Sequence, residues 1–142
     1  KDMTRLSWYG QGLQDSYVDR LEATGIGRWT SSVDQEYVHY PRPQSSGNHE
    51  QTVTLSLTDA KGRGYTVTTA NATPFAFSAL PYSEHQLSTV AHDCDLHTEN
   101  NVFLNIDAAM MGLGNSSCGP GVLTKYSIPQ KQHSLHVMFK RK

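Results

Sequence analysis

Cysteine is nearly missing from these 142 residues. Two thiols, Cys94 and Cys118, cannot staple a disulfide scaffold; they either form one bridge or stay free. Long apolar runs are missing too. No stretch approaches the roughly 18–20 residues that span a bilayer, and no charged-then-apolar leader opens the chain, so a soluble protein is expected, with cytoplasm and periplasm both open. Charge is sparse and balanced: 12 Lys and Arg face 13 Asp and Glu, 18% of residues are charged, and the formal charge is −1. Such a balance leaves no footprint for nucleic acid or anionic lipid. The chain has no Gly-x-Ser-x-Gly elbow, no Gly-x-Gly-x-x-Gly or Walker pattern, and no internal repeat, which removes the common hydrolase and nucleotide-binding signatures. Regularly alternating helices are lacking as well, which disfavours parallel α/β folds.

What remains is the composition of strands and turns. Leu, Ile, Val and Phe make only 28 residues, near the level at which disorder threatens, but 13 aromatics and low net charge argue for folding. Ser and Thr supply 27 residues beside 11 Gly and 6 Pro, as in many short strands joined by tight turns. Residues 4–9 read as a strand ended by Gly10 and Gly12, 15–20 as a turn or one helical turn, and 25–31 as a second strand. Tyr37 to Pro43 is an extended, Tyr-rich loop, because neither proline can donate to a ladder. From Thr52, Val53, Leu55 and Leu57 alternate with hydroxyl residues, the period of a half-buried strand. Residues 59–64 turn that strand back into 65–69, a hairpin, and a third strand follows at 75–79. Ser83 and Gln86 form a capping box, with Tyr82 and Leu87 at the staple positions, predicting a helix over 84–91. Strands are expected at 102–107, 122–128 and 135–139. The fold class is all-β, an antiparallel β-sandwich with one short helix, in a single domain over 1–142.

Chemistry is thinly marked. His92, Asp93, Cys94, Asp95 and His97, with His85 upstream, are metal-type ligands, but their spacing fits no standard site and they read as a solvated connection. His133 and His136 fall on opposite sides of a strand, a poor ligand pair. Ser117-Cys118-Gly119 is a turn with no evident base beside the thiol. Among the carboxylates Asp107, at the end of an apolar strand, is the least ordinary. Asn71-Ala72-Thr73 and Asn115-Ser116-Ser117 match the glycosylation sequon. Trp8, Trp29 and the Tyr37–Tyr40 loop could offer stacking surfaces in a free-standing carbohydrate-binding module, or they could simply pack the core.

Three segments carry a resemblance. Residues 8–20, Trp-Tyr-Gly-Gln-Gly-Leu-Gln-Asp-Ser-Tyr-Val-Asp-Arg, are similar to the Trp-x-Gly-x-Gly-Pro-x-Glu-x-Tyr-x-Asp-Arg signature in the C-terminal domain of LacZ-type β-galactosidases, glycoside hydrolase family 2. Residues 40–48 resemble that family's Tyr-x-x-Pro-Gln/Ser-Glu-x-Gly segment, and residues 104–114 its Leu-Asn-Ile-Asp-x-x-x-Met-Gly-x-Gly run. The resemblance implies the last half of the fifth domain, a β-supersandwich related in fold to galactose mutarotases and longer than this chain, so the chain reads as the C-terminal portion of that domain and a piece of a longer protein. It implies no catalytic residue here, because the family's paired glutamates belong to a separate TIM barrel, and the chain alone is expected to be inactive. No cofactor is implied in this chain; Mg and Na belong to the family's catalytic domain. The implied partners are the rest of the parent chain and the galactoside. In the family the loop after Met-Gly-x-Gly reaches the active site and offers a Trp to the second sugar. The matching loop here is Asn115, Ser116, Ser117 and Cys118, with Cys118 at the Trp position, so weaker or altered stacking of that sugar is expected. Leu13 replaces Pro, Asp15 replaces Glu, and Ser45 or Ser46 replaces Glu. A sugar epimerase, suggested by fold analogy alone, would need a His and a Glu together in one concave site. Half a supersandwich should also expose apolar sheet and self-associate.

Overall fold

The computed structural model describes residues 2–112, 120–128 and 132–142. In chain order its elements are β1 (Arg5–Gln11), β2 (Ile26–Ser32), β3 (His49–Thr52), β4 (Thr54–Thr58), β5 (Gly64–Thr69), β6 (Phe75–Leu80), helix α1 (Glu84–Thr89), β7 (Phe103–Asp107) and β8 (Val137–Arg141). Two antiparallel sheets result, a five-stranded one ordered β2-β1-β4-β5-β8 and a three-stranded one ordered β3-β6-β7. They pack as a sandwich, the fold class expected from the alternation and turn chemistry.

Alternation decides which side chains meet. Leu6 and Trp8 of β1 stand opposite Leu57 and Leu55 of β4, and Leu55 stands opposite Val67 of β5. These five fill the inner face of the large sheet and pack against Phe75, Phe77 and Ala79 of β6, with Leu104 and Ile106 of β7 at the margin. All six residues of β6 are buried, because the outer face of the small sheet is covered in turn. A second small core of Tyr37, Leu80 and Leu87, flanked by Tyr82 and Leu96, lies there. Tyr82 and Leu87 are the two staple positions, so the helix start predicted from sequence is also what seals this face.

The helix itself is shorter than its pattern suggested. Ser83 Oγ accepts from the Gln86 backbone N–H at 3.3 Å, as an N-cap should. The reciprocal half of the capping box is diverted: Ser83 N–H donates to Glu99, while Gln86 Oε1 accepts from His97 N–H at 2.6 Å. Val90 is already extended at φ −77°, ψ 136°, which ends the helix at Thr89.

Three further strand expectations need correction. The alternating run from Thr52 is two strands in different sheets. Gln51 sits at φ 54° and the β3 register shifts between His49 and Thr52, so the chain bends across the sandwich and Val53 becomes the corner. Gly10 does not end β1, which runs on to Gln11, paired with Ile26. Residues 122–128 are not a strand; apart from a 3-10 turn at Thr124–Tyr126 they are irregular, and β8 pairs with β5 instead.

Gly10 is required by close approach. A Cβ there would lie 2.7 Å from Thr52 Oγ1 and 2.8 Å from Thr52 Cα, where β1 crosses β3. Because backbone cannot yield as a flexible side chain can, Gly10→Ala is expected to destabilise the fold by about 1–3 kcal/mol in urea unfolding. An unchanged midpoint would show that the two sheets do not meet there.

Candidate functional site

The signature segment wraps a buried polar cluster to which Trp8, Gly12, Asp15 and Ser16 contribute. Trp8, 3% exposed, donates its indole N–H to the Gln11 carbonyl at 2.8 Å. Its ring packs 4.3 Å from the imidazole of His49 and 5.6 Å from Phe77, which itself lies 5.0 Å from His49, so the three rings form one mutually touching cluster. His49 Nδ1 is 3.1 Å from the Gly12 carbonyl, and Nε2 is 2.5 Å from Glu36 Oε2. A carbonyl can only accept, so Nδ1 carries a hydrogen. One further proton is then shared across the short His49–Glu36 contact, whose side chains are 0% and 2% exposed. Gly47, at φ 66°, lies against the Glu36 carbonyl, where any Cβ would collide.

Around that pair the rest of the signature closes the loop. Asp15 accepts from the Tyr40 hydroxyl at 3.0 Å and pairs with Arg20 at 3.4 Å. Burial, then the Asp15 hydrogen bond, pushes the Tyr40 hydroxyl up to about 12. Burial likewise raises Tyr17, with the Asp15 charge adding to it. Asp15 therefore serves where the family pattern has Glu. Ser16 N–H donates to the Asn48 carbonyl at 2.6 Å, Ser16 Oγ accepts from Glu50 N–H, and Asn48 Nδ2 donates to the Ser16 carbonyl. Asp19 packs against the backbone of Gly112, where a Cβ would collide with its carboxylate. The signature is thereby fastened to the chain at the point where 113–119 begin. Asn115, Ser116, Ser117 and Cys118 lie outside the described residues.

Two carboxylates on the outer face of the small sheet are perturbed. Glu50 is raised from 4.5 to about 6, chiefly by burial, with the Asn48 hydrogen bond opposing and the Asp107 charge adding. Asp107, the carboxylate singled out from sequence, is raised by burial and by Glu84, and its Oδ2 is buried without a hydrogen-bond partner. Sequence reasoning passes over His49 and takes Glu36 and Glu50 for ordinary caps or solvated carboxylates, whereas both are buried. His49 sits in a stretch of turn chemistry, and nothing in local periodicity marks an imidazole as the centre of a core.

Other candidates disperse. Asp93 is engaged by Tyr37 OH at 2.9 Å and His39 Nδ1 at 2.6 Å, and these two hold its carboxyl below the usual range. Among the described residues no three His, Cys, Asp or Glu side chains converge as a metal site. Cys94 is an exposed free thiol. Trp8 and Tyr37 are buried, and Trp29 packs on the core with its Nε1 donating to the Gly10 carbonyl at 3.2 Å. The ring faces of Trp8 and Tyr37 are therefore spent on packing, while Trp29 stays half-buried at the edge of a surface cavity. A His and Glu pair of the kind an epimerase would need does exist, but it is sealed from any sugar. Among the described residues no helix is long and apolar enough to cross a membrane.

Fold and cluster together define a β-sandwich domain with a buried polar centre. The family described as beta galactosidase small chain matches residues 1–139, and the chain belongs to that family. It is 36% identical over 142 residues to the β-galactosidase BgaC of Bifidobacterium adolescentis, covering 98% of this chain and 13% of that protein. Against the β-galactosidase of Kluyveromyces lactis identity is 33% over 121 residues, 85% of this chain and 11% of the relative. Against that of Streptococcus thermophilus it is 36% over 111 residues, 78% and 11%. The chain thus corresponds to a domain within larger β-galactosidase chains and spans between a tenth and a seventh of these relatives.

The Glu50 shift has a pH signature. Unfolded, Glu50 titrates near 4.5; folded, near 6. Between those values the folded state keeps a proton that the unfolded state has lost. This contribution therefore falls as pH rises, by about 2 kcal/mol once both forms are ionised. Glu50→Gln should remove that fall and be more stable than the parent at pH 7.5. Urea unfolding of both proteins from pH 4.5 to 7.5 checks it, and parallel stability curves would contradict the assignment.

Proposed function

We propose that this chain is a noncatalytic β-sandwich portion of a β-galactosidase, which packs on the remainder of the larger chain and holds the loop following Gly112 toward the galactoside site. The observation that carries the reading is the uncovered part of the inner sheet face. Phe139 stands opposite the fully buried Val67, and Tyr65 lies two residues from Val67, so by register both face the sandwich interior. Yet they are 63% and 45% exposed. A sandwich complete in itself would cover such a phenylalanine; here the three-stranded sheet stops short of it, and β8 is an edge strand with an open ladder. Further protein from the same family architecture is the fitting cover.

The loop assignment is supported by position. Asp19, from the signature that matches the family, braces Gly112, so the anchoring device sits directly before Asn115, Ser116, Ser117 and Cys118. With Cys118 where the family carries an indole, the second sugar would lose its stacking face. The residues that could act as acid or base in the core, His49 and Glu36, are inaccessible, and binding and positioning are what remain for such a domain.

Two outcomes follow. The isolated chain should turn over no chromogenic β-galactoside, and turnover that survives removal of contaminating enzyme would overturn the reading. Sedimentation from low to high micromolar concentration should show self-association that Phe139→Glu suppresses. A wild-type chain that is monomeric throughout, with Phe139→Glu no different, would mean that the exposed inner face needs no cover.

A further inference from the structure

The outward side of the five-stranded sheet carries a chemistry of its own. Side chains there fall into cross-strand rows set by the register. One row runs Thr30, Ser7, Ser56, Thr66, Lys140, and the next runs Arg28, Tyr9, Thr54, Thr68, Met138. Ser56 Oγ and Thr66 Oγ1 are 3.0 Å apart, and Lys142 Nζ donates to Ser56 Oγ at 3.3 Å. The Arg28 guanidinium lies 5.6 Å from the centre of the Tyr9 ring. A shallow cavity of about 410 Å³ opens over these strands.

No Asp or Glu occupies any position in the five strands of this sheet. Arg5, Arg28, Lys140 and Lys142 take part in none of the ion pairs among the described residues. A chain whose formal charge is −1 thus gathers unpaired cations and a field of hydroxyls on one face. The near-neutral total hides this asymmetry, because the balancing carboxylates lie in loops and on the opposite sheet.

Such a surface is rich in donors and poor in strong acceptors. A neutral sugar is best oriented by carboxylate or amide side-chain oxygens that accept from its hydroxyls, and none lines the cavity over Ser7, Ser56 and Thr66. A ligand that supplies negative charge and its own acceptors fits better. Within a row the side chains repeat at the interstrand spacing of about 4.8 Å, close to the advance of one pyranose along an extended glycan. The single exposed aromatic, Tyr9, is too little for a run of stacked bases. We propose that the outer face of the five-stranded sheet binds an anionic oligosaccharide, with its acidic groups on Arg28, Lys140 and Lys142 and its hydroxyls on the row through Ser7, Ser56 and Thr66. The inference rests on the sheet register and charge alone and is independent of the family reading.

The test is a titration of the 15N-labelled 142-residue chain with four separate probes: tetragalacturonate, neutral β-1,4-galactotetraose, a short single-stranded oligonucleotide and a poly-Glu peptide. Tetragalacturonate is expected to shift the amides of Ser7, Thr30, Ser56 and Thr66, more weakly as salt rises. Arg28→Ala and Lys140→Ala, both at exposed positions, should each weaken binding about tenfold with the circular dichroism unchanged. Galactotetraose should leave these amides unmoved. The proposal fails if tetragalacturonate does not bind or shifts other residues. It fails equally if galactotetraose matches it, or if the oligonucleotide or the acidic peptide binds this face more tightly.

Discussion

The fold depends on one imidazole. His49 is fully enclosed, and its two ring nitrogens reach backbone and side chain from different parts of the chain, the Gly12 carbonyl after β1 and the Glu36 carboxylate before β3. Its ring packs against both Trp8 of the large sheet and Phe77 of the small one, which also touch each other. Removing either polar partner would leave a buried charge or an orphaned donor, which costs several kcal/mol. The close crossing of β1 over β3 at Gly10, the bend at Gln51 and the burial of Trp8 all presuppose this ring. An apolar residue could fill the volume, but it could not also satisfy the Gly12 carbonyl that the signature loop presents.

Much of this architecture was legible in the residues. The alternation of Leu6 and Trp8, the hairpin around Gly62 and the cap at Ser83 are local signals, and the structure keeps them. What local pattern could not show is where a regular run changes sheet. Thr52 to Thr58 alternates without a break, yet the chain turns at Val53, because the bend comes from a positive φ at Gln51 and from pairing with β6. The 122–128 segment failed for the related reason that alternation without a partner strand does not make a ladder. The polar centre is the least legible part: Trp8, Gly10, Gly12, Asp15 and Asp19 stand together as a motif, but Glu36, His49 and Glu50 lie tens of residues away in segments that look like ordinary turns.

The functional reading draws on the two faces of one sheet. Its inner face is well packed near Leu55 and Val67 and bare near Phe139, which suits a domain completed by further protein. Its outer face is flat, hydroxylated and basic. The signature packs between the two sheets through Trp8, and its Asp19 lies against Gly112. The signature residues that the structure describes, Trp8, Gly10, Asp15 and Ser16 among them, are engaged in packing and internal hydrogen bonds.

The central claim is that the His49–Glu36 contact is the interaction on which the packing of the two sheets rests. A double-mutant cycle with Glu36→Gln and His49→Gln, followed by urea unfolding at pH 7, measures it most directly. The account predicts a coupling free energy of about 2–3 kcal/mol, with the double variant far less destabilised than the two single losses added together. Additive losses, within about 0.5 kcal/mol, would contradict it.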